Sequence, residues 1–275
     1  MPQFAPSLAL ATAATLHGDL ARYEMKYLVD VALLPELRAF VQLFCHPDPH
    51  ARGDPPGYEV TTLQFDTAFG ALHLMKEHKA LNRFKLRARV YGAEEVSPLF
   101  LEIKRKNGDA IIKSRASIAR RRGTLHEIVA GDRVPAGLDP RDRMAFLEFV
   151  RLVQQLDARP VMRVRYRRES FLSDNDGYGR VTFDTALRYM PTSEWRVTPE
   201  GGRWRRMDTA LATQRPFPAF ILELKSTWNQ PTWMAELVER FNLTRCDFCK
   251  YSTAMRLESL HRGFSYSDAS ENTTY

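Results

Sequence analysis

Cysteine is scarce: Cys45, Cys246 and Cys249 are too few, and odd in number, for a disulfide framework, which fits a reducing compartment. Long apolar runs are missing too. The longest N-terminal stretch, Leu8 to Leu16, is interrupted by Thr12 and Thr15, has no basic segment before it, and falls far short of the roughly 18 residues that span a bilayer. The expectation is a soluble, unexported, cytoplasmic chain. No internal repeat and no linker between independent cores is found, so 275 residues read as one domain. Hydrophobic residues at 44% and charged residues at 27% exclude a disordered, collagen-like or coiled-coil chain and allow a sizeable core. Negative charge is also short. Lys and Arg number 40 against 33 Asp and Glu, and a net charge of +7 points to a polyanionic partner: nucleic acid, a phosphorylated metabolite or an anionic membrane.

Residues 1–19 form an Ala- and Thr-rich segment expected to be flexible, 20–262 the folded body, and 263–275 a polar tail. His46–Gly57 and Thr198–Pro218 read as long loops. Four helices are expected. Pro35 opens one bearing Leu37, Phe40, Val41 and Phe44; Asp139-Pro140 opens another with Phe146, Phe149, Val150, Val153 and Leu156 on one face. Pro231 precedes Met234, Leu237, Val238 and Phe241, and a last helix follows from Lys250 to about Leu260. Amphipathic helices need an apolar surface to lie on.

The other segments alternate with period two. Arg22, Glu24 and Lys26 share a face, as do Lys85, Arg87 and Arg89, with Phe84, Leu86, Ala88 and Val90 opposite. Glu102, Lys104 and Lys106 alternate with Leu101 and Ile103; Lys113 and Arg115 follow Ile112. Arg180, Thr182 and Asp184 alternate with Val181 and Phe183, and Glu223 and Lys225 with Leu222 and Leu224. One reading is a half-exposed antiparallel sheet whose charged side is simply wet. The other starts from the helices: if they cover the apolar faces from outside, the charged faces point into a lumen, and a basic tunnel holds an extended polyanion.

The segments RYEMKY (Arg22–Tyr27), NRFKLRARVYG (Asn82–Gly92), FLEIKRK (Phe100–Lys106), IIKSRA (Ile111–Ala116), VRYRRESF (Val164–Phe171), GRVTFDT (Gly179–Thr185), ILELKSTWNQPTW (Ile221–Trp233) and CKYSTAM (Cys249–Met255) resemble, in order, the VTC domain. This is the catalytic domain of vacuolar transporter chaperone polyphosphate polymerases, in the triphosphate tunnel metalloenzyme superfamily. The resemblance implies an α+β fold: a closed antiparallel eight-stranded β tunnel barrel with amphipathic helices outside. It implies catalytic roles for Arg87, Arg89, Lys104, Lys113, Arg168 and Lys250, and substrate binding by Lys26, Lys85, Arg180 and Lys225. Glu223 and Glu24 become the ligands of Mn²⁺ or Mg²⁺, with Glu102 and Asp184 behind them. The implied partners are ATP or another nucleoside triphosphate, polyphosphate and, because no sensor domain or membrane segment is attached, a membrane-protein partner that would couple synthesis to transport. A tripolyphosphatase or a non-catalytic binding module of the same fold is the alternative, and a basic nucleic-acid-binding barrel the alternative of another class.

Some positions depart from the family pattern. Arg22 stands where the hydrolase branch has the first Glu of Glu-x-Glu-x-Lys, which removes a metal ligand and argues for polymerase over hydrolase. Gln64 replaces Tyr and Cys249 replaces Ser, neither expected to touch the charges. Cys246 and Cys249 make a lone CxxC without a second ligand pair, so both are read as core packing. His73, His78 and His126 are assigned to the surface and Trp233 to packing; Trp195, Trp204 and Trp228 lack the basic interleaving of single-strand modules. The Arg120–Arg122 run is read as a solvated turn.

Overall fold

A computed structural model describes residues 23–92, 97–108, 110–119, 125–130, 134–173, 178–227 and 229–263. Arg22, Arg120–Arg122, Trp228 and most of both terminal segments lie outside the described residues. The strands are β1 (Tyr23–Asp30), β2 (Cys45–Pro47), β3 (Tyr58–Asp66), β4 (Asn82–Tyr91), β5 (Leu99–Asn107), β6 (Ala110–Ile118), β7 (Arg159–Ser173), β8 (Gly179–Pro191), β9 (Arg205–Arg206) and β10 (Ala219–Ser226). All ten join one antiparallel sheet. Its order is β1-β10-β8-β7-β3-β4-β5-β6, with β2 added to β7 and β9 to β8. The helices are α1 (Leu34–Val41), α2 (Ala71–Glu77), α3 (Leu125–Ala130), α4 (Pro140–Gln155), α5 (Ala210–Thr213), α6 (Thr232–Arg240) and α7 (Lys250–His261). Those expected at Pro35, Asp139, Pro231 and Lys250 are all present; α2, α3 and α5 are too short to show a period.

The sheet curls into a half-barrel and does not close, which corrects the expected closed tunnel: among the described residues no pairing joins β1 to β6. The chain before α7 takes the edge of β1 that closure needs. There Cys246 N donates to Lys26 O at 2.8 Å and Tyr27 bridges to Arg245. Side chains span the seam instead, with Lys104 Nζ of β5 donating to a Glu24 carboxylate oxygen of β1 at 3.0 Å.

Apolar burial explains the layers. Leu86, Ile103 and Phe65 form one buried cluster with Phe146 and Phe149 of α4 and Leu125 and Ile128 of α3. Val181, Leu222 and Leu224 form another with Leu37 and Phe40 of α1 and Trp233, Met234 and Leu237 of α6. Helices therefore cover the apolar outside, as the alternation predicts. Local signals set their ends: Asp139 caps α4 by accepting from Asp142 N at 2.7 Å, ahead of Pro140 in the first turn. On the inner side α7 plugs one end of the concavity, where Tyr251, Ala254 and Leu257 meet Val60, Val164, Leu187 and Ile221. Asp66 anchors that plug. Its buried carboxylate accepts from the backbone N–H groups of Thr67, Leu72 and His73 and from Tyr251 Oη at 2.6 Å.

One irregularity sets which side chains face inward. The β7–β8 register shifts between Arg165 and Arg167, and Ala186 on β8 has φ of 50°. A residue in that left-handed region marks the extra position of a bulge. It resets the alternation, so that Asp184 on one side of it and Leu187 and Tyr189 on the other all face inward.

Candidate active site

Pairing across the strands arranges the inward-facing charges in rows. Arg87, Glu102 and Arg115 are consecutive partners across β4, β5 and β6, and Lys85, Lys104 and Lys113 form the next row. On the other wall Arg180, Lys225 and Glu24 line up across β8, β10 and β1; beside them lie Thr182, Glu223 and Lys26. Arg168 pairs with Asp184, and Lys250 enters from the first turn of α7. The residues assigned to catalysis or substrate binding thus face the one concavity, Arg180 excepted. Arg180 is its outlier, exposed and lying over the Tyr178 ring at 5.2 Å.

Two fully buried carboxylates organise the cations. Glu102 meets Lys113 Nζ at 2.6 Å, Arg87 Nε at 2.7 Å and Arg115 Nη2 at 2.7 Å, with Arg89 Nη1 at 3.7 Å. Burial opposes its ionisation, but Arg87, Arg89, Lys113 and Arg115 outweigh it and hold its pKa well below the usual range. Asp184 accepts both forks of Arg168, at 2.7 and 2.8 Å, and Lys250 Nζ at 2.6 Å. Glu102 and Asp184 are thus each held by two or more cations. Register puts Glu102 between Arg87 and Arg115, and Asp184 beside Arg168 with Lys250 reaching it from α7.

Glu223 and Glu24 differ. Their carboxyl groups come close across the β1–β10 pair, where the charge of Glu223 opposes the ionisation of Glu24. Glu24 also meets Lys26 Nζ at 2.8 Å, and Glu223 lies 3.4 Å from Lys225 and 3.8 Å from Arg168. Burial disfavours the Glu223 carboxylate, yet Lys225 and Lys26 pull its pKa well down, so it stays an anion. Two ionised carboxylates meeting at one point fit a hard divalent cation that takes its other ligands from phosphate oxygens and water. Among the described residues no group of three or more His, Cys, Asp or Glu gathers, so the fit rests on this pair.

The cations outnumber the carboxylates, and the surplus strains them. Burial, followed by the charge of Lys26, lowers Lys104 to about 8. Burial also brings Lys113 to about 8, with Arg87 and Arg115 adding to it against the pull of Glu102. Negative charge brought to this face would relieve that repulsion.

Arg115, read on the same charged face as Lys113 but given no site role, joins the site; Tyr91, which escaped the sequence reading, continues the period-two face of Arg89. Cys249 touches the charges after all. Its Sγ accepts from Lys85 Nζ at 2.7 Å and caps α7 through Ser252 N; burial disfavours the thiolate, but Lys85 lowers the thiol to about 6. His73 is buried rather than superficial, edge-on to Tyr251, because α2 turns that side toward α7; burial lowers its pKa. His78 and His126 are exposed as expected, and Trp233 packs on Phe44.

A search among curated proteins finds no match. Among solved structures, one described as the structure of PH1819 protein from Pyrococcus Horikoshii OT3 is 10% identical, covers 87% of this chain and 98% of its own, and superposes with a TM-score of 0.43. The family model of the VTC domain matches residues 21–259, which takes in every strand, every helix core and the whole charged concavity. The chain belongs to the VTC domain family, whose membership points to a function in polyphosphate chemistry.

Proposed function

We propose that this chain is a metal-dependent polyphosphate polymerase that transfers the γ-phosphate of ATP to the end of a polyphosphate chain. The observation that carries this reading is the convergence of Lys26, Lys85, Arg87, Arg89, Lys104, Lys113, Arg168, Lys225 and Lys250 on one concave face. Phosphoryl transfer asks a protein to align phosphates and neutralise charge, and supplies no reason for a covalent nucleophile. The attacking atom is a terminal phosphate oxygen that is already anionic. It bonds to the γ-phosphorus as the bond to the β–γ bridging oxygen breaks, and ADP leaves with that charge. Arg87, Arg89 and Arg168, locked by Glu102 and Asp184, offer guanidinium forks to the equatorial oxygens. The lysines supply point charges along the chain. Glu24 and Glu223 would hold Mn²⁺ or Mg²⁺, which neutralises phosphate oxygens when bound.

No helix among the described residues is long and apolar enough to cross a membrane. Incubation of the purified chain with ATP and Mn²⁺, resolved on a gel, tests the proposal. Chains of polyphosphate are expected. Free phosphate from tripolyphosphate without chains makes the protein a hydrolase, and neither product makes it a binding module. Oligonucleotide binding equal to polyphosphate binding would favour a nucleic-acid partner instead.

A further inference from the structure

Tyr91 ends the row of basic residues on β4, and two guanidinium groups converge on its hydroxyl oxygen. Arg89 Nη1 donates to Tyr91 Oη at 3.3 Å and Arg115 Nη2 donates to it at 3.1 Å. These arginines also share Glu102, so the phenol oxygen completes an acceptor set between Arg89, which the proposed function assigns to phosphate, and Arg115 beside it. We propose that Tyr91 is a positioning residue of the anion site, its hydroxyl oxygen occupying between Arg89 and Arg115 the place that a substrate phosphate oxygen takes on binding. The inference rests on the polyphosphate reading of this face and adds the place where phosphate and protein compete.

The surroundings decide what that competition does. Arg89 faces Tyr91 from its own strand, Glu102 from β5, Arg115 from β6, the Tyr58 ring edge-on from β3, and Arg168 with Tyr166 from β7 near Arg89 and Tyr58. Burial disfavours the phenolate and so does Glu102, yet Arg89 and Arg115 prevail and bring the phenol to about 7. Ionised, Tyr91 holds both guanidinium groups against an incoming anion; protonated, it yields them. The sign follows: anion affinity falls as pH rises through 7, and a bound anion, adding negative charge, returns a proton from solvent to the phenolate.

Calorimetric titration of metal-free protein with tripolyphosphate, for wild type and Tyr91→Phe between pH 6 and pH 8, tests this. The ratio of the variant's affinity to the wild type's is expected to rise about tenfold over that range, the titration of one group with a pKa near 7. The probe's own protonation cancels in the ratio. A second readout needs no variant: at pH 8 the phenolate ultraviolet band should fall when tripolyphosphate is added. Burial pushes Tyr27, Tyr58 and Tyr189 upward, so they contribute no phenolate there, and the part of the band that Tyr91→Phe removes belongs to Tyr91. A flat ratio, or a band that tripolyphosphate leaves unchanged, overturns the role of Tyr91 while leaving the polymerase assay standing. Failure of both proteins to bind tripolyphosphate at any pH overturns the polyphosphate reading and this inference with it.

Discussion

Replacing a single side chain separates anion positioning from metal binding, because the two roles fail differently. Glu223→Gln keeps shape and removes a hard anionic ligand. Turnover should collapse and its Mn²⁺ requirement rise, while metal-free tripolyphosphate binding is retained or improved by loss of a like charge; calorimetry beside a Mn²⁺ titration of turnover measures both. Cys249 makes a second point. With Lys85 Nζ 2.7 Å from its sulfur, its thiol should be largely ionised by pH 7, so its alkylation by iodoacetamide should level off above about pH 6. Lys85→Met should move that plateau upward by at least one pH unit, followed by mass spectrometry of the modified peptide. This contact joins residues 164 positions apart, and nothing in the CxxC spacing foretold it. The inward charges on β4, by contrast, were legible from parity alone, and the same parity extended to Tyr91 and Arg115. What parity does not tell is the neighbour across the ladder. Glu102 and Glu223 look alike in sequence, and only register places one among arginines and the other against a second carboxylate.

Among elements, helices were the most legible because their starts carry chemical marks. Asp139 with Pro140 is the clearest, and Asp139→Ala should cost about 1 kcal/mol, seen as a lower urea midpoint with an unchanged slope. The same helix is tied to the sheet by Ser117 N, which donates to the Asp142 carboxylate at 3.0 Å, so frayed α4 residues loosen the cover over Leu101 and Ile103. The bulge at Ala186 could not be read beforehand. No glycine marks it, and the strand's composition continues without interruption. Its consequence is nevertheless large, since a strand without the extra residue would turn Leu187 and Tyr189 away from α7.

At the scale of the molecule, the charged interior is held together by its few anions. Glu102→Gln leaves Arg87, Arg89, Lys113 and Arg115 crowded without their buried counter-charge, and because solvent reaches Lys113 and Arg115 it should destabilise by about 3 kcal/mol, the low end for a broken buried pair. Thermal melts should show it, and tripolyphosphate should restore more of the lost melting temperature in the variant than it adds to the wild type. In the wild type, Glu102 has its folded pKa below the unfolded value. Its contribution is therefore complete above the unfolded pKa of about 4.3 and is lost as pH falls through the folded one.

The unpaired seam between β1 and β6 changes how a polymer gets in. A closed ring admits only a free end, like thread through a needle's eye, whereas a jaw can close on the middle of a strand. Among the described residues Lys104 and Glu24 form an ion pair across the opening, and a side-chain latch opens without breaking a backbone ladder. Polyphosphate blocked at both ends by bulky groups should then bind as tightly as unblocked polyphosphate of the same length. Competition between the two measures it, and exclusion of the blocked polymer would mean that the latch stays shut. A jaw can also release a long product sideways, without waiting for its far end to pass through.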